Sequence, residues 1–469
     1  MDEARQHHNV TLAILTLAGA AFSLQQTMVF PALKTFQEEF GSSTAWTTWV
    51  LTGFLVSGAV LTPILGRLGD QFGKERLLLL SLGLFLAGCL AAAFAWNLWS
   101  LIVFRAVSGA GGALFPLSFA IIRDEFPADK IKVGIGLLSA VWGVGGGFGI
   151  VLSGVIVDHL DSRYLFLLGS IPVALSILLV HRYVPESPIR SPSRVDLPGA
   201  LLLSGALISL MVALTEGEHW GWTSPLLLAL LATAAGLFVL WGVVEARSSS
   251  PMVDLGMLAH RPVLLTNIAT LIAGFALFSC FVLVPAFVET PSGHGYGFGA
   301  TATEAGLFLL PSSVAMLFAG PLAGTLGRRF GSKWPLAGGM LLVSVAALLF
   351  ATEHADPVPV LLASGLLGFG VGGAFAAMAA LIAENVDARE MGIAGGMNTV
   401  VRMIGAVIGG QVGAALLTAQ TIGDTQIPAE SAFTTTFALS AGTALVAGAI
   451  ALAIGTRPLR RLEPVAARR

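Results

Sequence analysis

Apolar residues run through this chain in long blocks separated by short polar ones. A window of about 20 residues, the length that crosses hydrocarbon as a helix, divides it into about fourteen blocks. In the first half they lie near 10–33, 45–66, 77–95, 98–122, 133–157 and 164–183. Pro185 to Asp196 (PESPIRSPSRVD) follows, too rich in proline, serine and charge to span anything. Two further blocks sit near 197–215 and 224–244, and six more near 262–288, 302–323, 334–352, 357–383, 391–419 and 432–454. The pattern six, two, six predicts an all-α integral membrane protein with two pseudo-symmetric six-helix bundles and two inserted helices. The expected divisions are a bundle over 1–184, a linker with two extra membrane helices over 185–261, a second bundle over 262–456 and a basic tail over 457–469.

The short polar joins carry a repeat. GRLGDQFGKER (Gly66 to Arg76) stands between the second and third blocks, and a degenerate copy, GTLGRRFGSK (Gly324 to Lys333), stands between the corresponding blocks of the second half. Gly66 and Gly324, Gly73 and Gly331, and Pro63 and Pro321 are each separated by 258 residues, so the chain is built twice. In about 11 residues each cassette leaves one helix, turns among polar groups and enters the next, which accounts for its glycine and its charge. Internal duplication of this kind marks membrane transporters.

Composition agrees: 55% of the 469 residues are hydrophobic and 11% charged, against roughly 25% charged in soluble domains. The net charge of −2 says little, because the positions of the charges carry the signal. With the N-terminus placed in the cytoplasm, 21 Lys and Arg fall on that side and only Lys34 and Arg163 on the other, which puts both termini inside. The first block lacks a small-residue cleavage site and reads as a retained helix. Cys89 and Cys280 lie within apolar blocks, so neither a disulfide framework nor a metal site is expected.

The chain resembles the major facilitator superfamily, specifically its 14-helix branch of drug:proton antiporters, over nearly its whole length. The resemblance rests on the cassette residues Gly66, Asp70, Gly73 and Arg76; on Leu101, Arg105, Gly109 and Gly111 of the fourth block; on GIAGGMNTVVRMIGAVIG (Gly392 to Gly409); and on Asp196 to Pro225, which matches the inserted pair. It implies a plasma-membrane (bacterial inner-membrane), multi-pass exporter of drugs, antibiotics or other amphipathic metabolites, working by alternating access and coupled to protons. Residues assigned to gating are Gly66, Arg67, Asp70, Gly73, Arg76 and Arg123. Asp70 is expected near the start of the helix opening around Met391, where the helix dipole favours an anion.

The chain departs from that branch in its first helix. The branch carries an aspartate in a pattern like LDxTIVNVALP, whereas this chain reads LQQTMVFPAL (Leu24 to Leu33), with Gln25 in the acid's place. The fifth-helix motif is altered too, with Ile150 where the branch has proline and Ser153 where it has glycine. Glutamine does not titrate, so a coupling proton must sit elsewhere; Glu289 and Glu304, at the external ends of their blocks, are the candidates. Arg105 and Arg402 are the only basic residues well inside apolar blocks, and burying either is costly. Without the acid, an inner cavity holding both repels lipophilic cations, so the expected substrate is neutral or anionic. Gln25, Gln26, Asn267 and Asn398 would supply hydrogen bonds there, and Trp142, Phe275 and Phe278 apolar surface.

No P-loop, HExxH, Cys-His set or GxSxG elbow occurs, so ATP hydrolysis, metal chemistry and other enzyme activity are not expected, nor any cofactor. There is no basic face for nucleic acid. Two other readings stay open: a facilitator or importer of a metabolite without proton antiport, and a non-transporting lipid-handling membrane protein.

Overall fold

A computed structural model describes residues 8–42, 44–127, 129–187, 196–248, 251–422 and 427–455. The described chain is helical, with one isolated bridge between Thr421 and Pro428. The first half comprises α1 (His8–Thr27), α2 (Val29–Glu39), α3 (Thr44–Phe72), α4 (Lys74–Ala93), α5 (Leu98–Ser108), α6 (Leu114–Glu125), α7 (Ile131–His159) and α8 (Arg163–Tyr183). The inserted pair is α9 (Leu197–Trp220) and α10 (Pro225–Arg247), followed by the short α11 (Leu255–Ala259). The second half comprises α12 (Arg261–Glu289), α13 (Ala302–Phe330), α14 (Lys333–Thr352), α15 (Pro357–Asn385), α16 (Met391–Ala419) and α17 (Glu430–Leu452). Among the described residues thirteen helices are long and apolar enough to cross a membrane. The 29-residue α7 is continuous and apolar as well, although the side chains of 142–144 and 146–147 are outside the described set.

Two apolar blocks are interrupted. The first breaks at Met28 into α1 and α2, three residues before Pro31, which lacks the N–H that would bond the Thr27 carbonyl. In the fourth, Gly109–Ala113 tighten into a 3-10 turn between α5 and α6, where the three glycines and two alanines of GAGGA have little or no side chain to crowd the i+3 neighbour. Glycine is required at the two cassette turns. Gly73, between α3 and α4, has φ +122°, and Gly331, 258 residues on between α13 and α14, has φ +92°, a region that side chains with a Cβ rarely enter.

The halves meet along two seams related by the internal repeat: α3 against α16, and α13 against α7. Both are held by glycines. A Cβ at Gly66 would stand 2.5 Å from the Gly392 carbonyl oxygen, and one at Gly396 would stand 3.0 Å from Pro63. Gly136 of α7 and Gly320 of α13 face one another just as closely, as do Gly324 and Lys132. Packing at this separation depends on small residues, as in other membrane helix pairs. One buried core extends through the first half into α9 and the Met391 end of α16, and a second fills the remainder of the second half. α9 packs on α3 and α16 beside the first seam, while α10 presents exposed Leu226, Leu228, Val239, Leu240 and Val243 on the periphery.

Candidate functional site

The first cassette places Asp70 at the end of α3, and the carboxylate crosses the seam. It is fully buried and accepts hydrogen bonds from the backbone N–H of Gly392 at 3.1 Å and of Ile393 at 3.0 Å. These are among the first N–H groups of α16, which have no intrahelical partner and lie at the positive end of the helix dipole. Gly66, one turn before Asp70, allows this approach because any side chain there would meet the Gly392 backbone. Arg123, at the end of α6, reaches the same place from the first half and donates to the Val386 carbonyl and to the Met391 sulfur. Arg67 donates to the Pro251 carbonyl at 3.0 Å, tying α3 to the segment after α10.

Arg76 belongs to a different group. It is 69% exposed and stands 3.7 Å from Glu186, whose carboxylate also accepts the Glu75 N–H at 3.3 Å. The other basic cassette residue, Lys74, is fully buried and pairs at 2.5 Å with Asp124, which also accepts from Ser187. Sequence reasoning counted Lys74 only as a cytoplasmic charge; a lysine followed 50 residues later by an aspartate gives no signal that two helices will bring them together.

The second cassette forms the related seam with opposite charges. Arg328, 258 residues after Asp70, donates to the Asp129 carbonyl at 3.2 Å, just before α7. Lys132 of α7 donates to the Gly327 carbonyl at 2.9 Å and pairs at 2.6 Å with Glu384 of α15. Ser332 donates to the same Glu384 carboxylate. Glu384 stands 261 residues after Arg123, the offset that also relates Gly111 to Gly372. Acid and base are therefore exchanged between the two seams, and both seams are closed at this end of the molecule.

The residues expected to line an inner cavity divide into two groups. Gln25 and Arg105 are sealed inside the first half. Arg105 is fully buried, donates from Nε to the Val50 carbonyl at 3.4 Å and lies 4.4 Å from the Phe54 ring centroid; its Nη1 and Nη2 have no partner among the described residues. Gln25 is equally buried against Gly169, with both amide atoms unpartnered. The Cys89 thiol adjoins both side chains. Gln26 is buried nearby on α1 with its Oε1 unpartnered.

Asn267, Asn398 and Arg402 form the second group, at the α12–α16 contact. Asn398 bonds to Asn267 at 2.8 Å and to Thr270 at 2.9 Å. Arg402, one turn further on, stacks 4.5 Å from the centroid of Phe375. Phe275 and Phe278 are half-buried on α12, and Phe278 packs on the second core. The side chain of Trp142 lies outside the described residues. Glu289 ends α12 exposed, whereas the exposed Glu304 is committed to a capping box with Thr301, accepting its N–H at 2.8 Å and its hydroxyl at 3.1 Å.

A family model described as Major Facilitator Superfamily matches residues 15–310 and 267–469. Multidrug resistance protein Stp of Mycobacterium tuberculosis is 31% identical over 85% of this chain and 74% of its own. The tetracenomycin C resistance and export protein of Streptomyces glaucescens is 27% identical over 88% of this chain and 76% of its own. Multidrug resistance protein 3 of Bacillus subtilis is 29% identical over 87% and 79%. The human organic anion transporter MFSD10 (TETRAN) shares the fold, with a TM-score of 0.67 at 16% identity, over 95% of this chain and 99% of that one.

Proposed function

The chain belongs to the Major Facilitator Superfamily, and on that premise we propose that it is a secondary exporter of amphipathic small molecules that works by alternating access and proton antiport. It is a multi-pass membrane transporter, not an enzyme. The observation that carries the mechanism is the Asp70 carboxylate seated on the first amides of α16. The contact joins the two halves through groups that must separate before this end of the molecule can open. With both termini cytoplasmic, as the distribution of Lys and Arg implies, the closed seams shut the cytoplasmic side of the central path.

The export direction is supported by relatives named for drug resistance and for export of tetracenomycin C. A neutral or anionic substrate is supported by Arg402, which borders a pocket between the halves without a carboxylate partner among the described residues; Arg105, expected in the same cavity, is sealed inside the first half and takes no part in this. For proton coupling, Gln25 offers no titrating group, and Glu304 is held in a helix cap. Coupling is therefore assigned to Glu289, whose carboxylate is exposed at the outer end of α12.

The test is expression in a bacterial host stripped of its own exporters, with intracellular accumulation of anionic, neutral and cationic aromatic antibiotics measured. Lowered accumulation of the first two classes, restored by a protonophore, is the expected result. Unchanged accumulation across the panel would contradict the exporter reading, and selective loss of quaternary cations would contradict the assigned charge preference.

A further inference from the structure

Asn398 and Arg402 share a face of α16 and border a closed pocket with Thr399 and Met391, between Phe375 of α15 and Phe119 of α6. About 10 Å³ of space remains in it, room for roughly one water. The polarity of the pocket follows from its neighbours. Thr270 donates its hydroxyl proton to the Thr266 carbonyl at 2.8 Å, so its oxygen can only accept further bonds. The Asn398 atom 2.9 Å from it is thus the amide nitrogen, and that nitrogen's other proton goes to Asn267 Oδ1 at 2.8 Å. With both protons used, what Asn398 has left for a guest is the acceptor Oδ1.

Arg402 supplies the complementary group. Its guanidinium rests on Phe375 and forms no ion pair among the described residues. In contrast to Arg105, none of its nitrogens is both sealed and unpartnered. Within one helical turn, about 6 Å, the pocket therefore combines a cationic donor, a neutral acceptor and two aromatic rings. Phe119 comes from the first half and the remaining walls from the second, so parting of the halves at the Asp70 end uncovers the pocket on that side.

We propose, resting on the exporter reading above, that this pocket is the substrate's head-group site and that the substrate class is a planar aromatic acid. Once the halves part at the Asp70 end and Phe119 withdraws, its carboxylate or phenolate pairs with Arg402, a hydroxyl on the same ring system donates to Asn398 Oδ1, and the ring lies on Phe375; the closed pocket, with room for about one water, does not admit it. A bond from guanidinium to an anionic oxygen is roughly twice as strong as a neutral one, so the acid is favoured over its ester. A cation of the same shape is repelled.

The test uses the full-length protein in nanodiscs and proteoliposomes with three fluorescent probes: 4-hydroxy-2-naphthoate, its methyl ester, and 2-naphthoate, which lacks the hydroxyl. The wild type is expected to bind the first on the order of 10- to 100-fold more tightly than the ester and measurably more tightly than 2-naphthoate. Arg402→Gln should weaken the two acids alone, and Arg402→Lys should restore part of the preference for them. An acid-over-ester preference that survives Arg402→Gln would overturn the assignment. So would wild-type protein that does not distinguish acid from ester, a comparison that stands even if the variants fail to assemble. Failure of the exporter reading has a different signature: Arg402-dependent binding of the acid with no probe moved across the proteoliposome membrane.

Discussion

Lys132 of α7 and Glu384 of α15 meet at 2.6 Å across the junction of the two halves, beside Arg328, the residue that the internal repeat relates to Asp70. Both side chains are mostly buried, and each has a second bond, from Lys132 to the Gly327 carbonyl and from Ser332 to Glu384. Removing one partner leaves the other charge poorly compensated, which costs about 1–3 kcal/mol, or roughly a 5- to 150-fold shift between two conformations. Lys132→Met and Glu384→Gln are each expected to favour the state open at this end. Spin labels at Arg76→Cys and Arg389→Cys, both exposed positions, would report a longer distance by pulsed electron resonance, and Cys89 and Cys280 are buried and would not interfere. An unchanged distance distribution would show that the pair does not hold the seam.

Asp70→Asn should fold and reach the membrane yet lose most of its transport. Asparagine keeps the shape but presents one acceptor oxygen where Asp70 satisfies two amides, Gly392 and Ile393, and it gives up the charge that the helix dipole favours. Gly66→Ala should disturb the same contact sterically, since its Cβ would meet the Gly392 backbone. The spin-label pair described above should lengthen in both variants. Wild-type transport in Asp70→Asn would remove Asp70 from the gate.

The buried guanidinium of Arg105 lacks a counter-ion among the described residues, and Gln25 lies in the same sealed interior with its amide unpartnered. Gln25→Glu would supply an anion there. The variant is expected to unfold a few degrees higher than the wild type at neutral pH, with the gain shrinking as acidification protonates the new carboxylate. A variant less stable than the wild type at every pH would show that the site cannot hold an anion.

The architecture was readable from the sequence because span length and polarity are set by the bilayer. The alternation of long apolar blocks with short charged joins yields the helices, and the 258-residue offset reveals the duplication. What hydropathy does not give is the direction in which a residue faces. Arg105 and Arg402 look alike in sequence, yet one is closed inside the first half and the other borders a pocket between the halves. Asn398 and Arg402, one turn apart, share a face of α16. The Lys132–Glu384 and Lys74–Asp124 pairs join helices far apart in sequence, and only the packed bundle reveals them.

Energised inside-out vesicles carrying the protein and a luminal pH reporter test the central claim most directly. Addition of an aromatic acid should raise the luminal pH as cargo enters and protons leave, with the response abolished in Asp70→Asn and in Glu289→Gln. Cargo accumulation with no change in luminal pH, or a response of wild-type size in Asp70→Asn, would contradict proton-coupled export through the Asp70 gate.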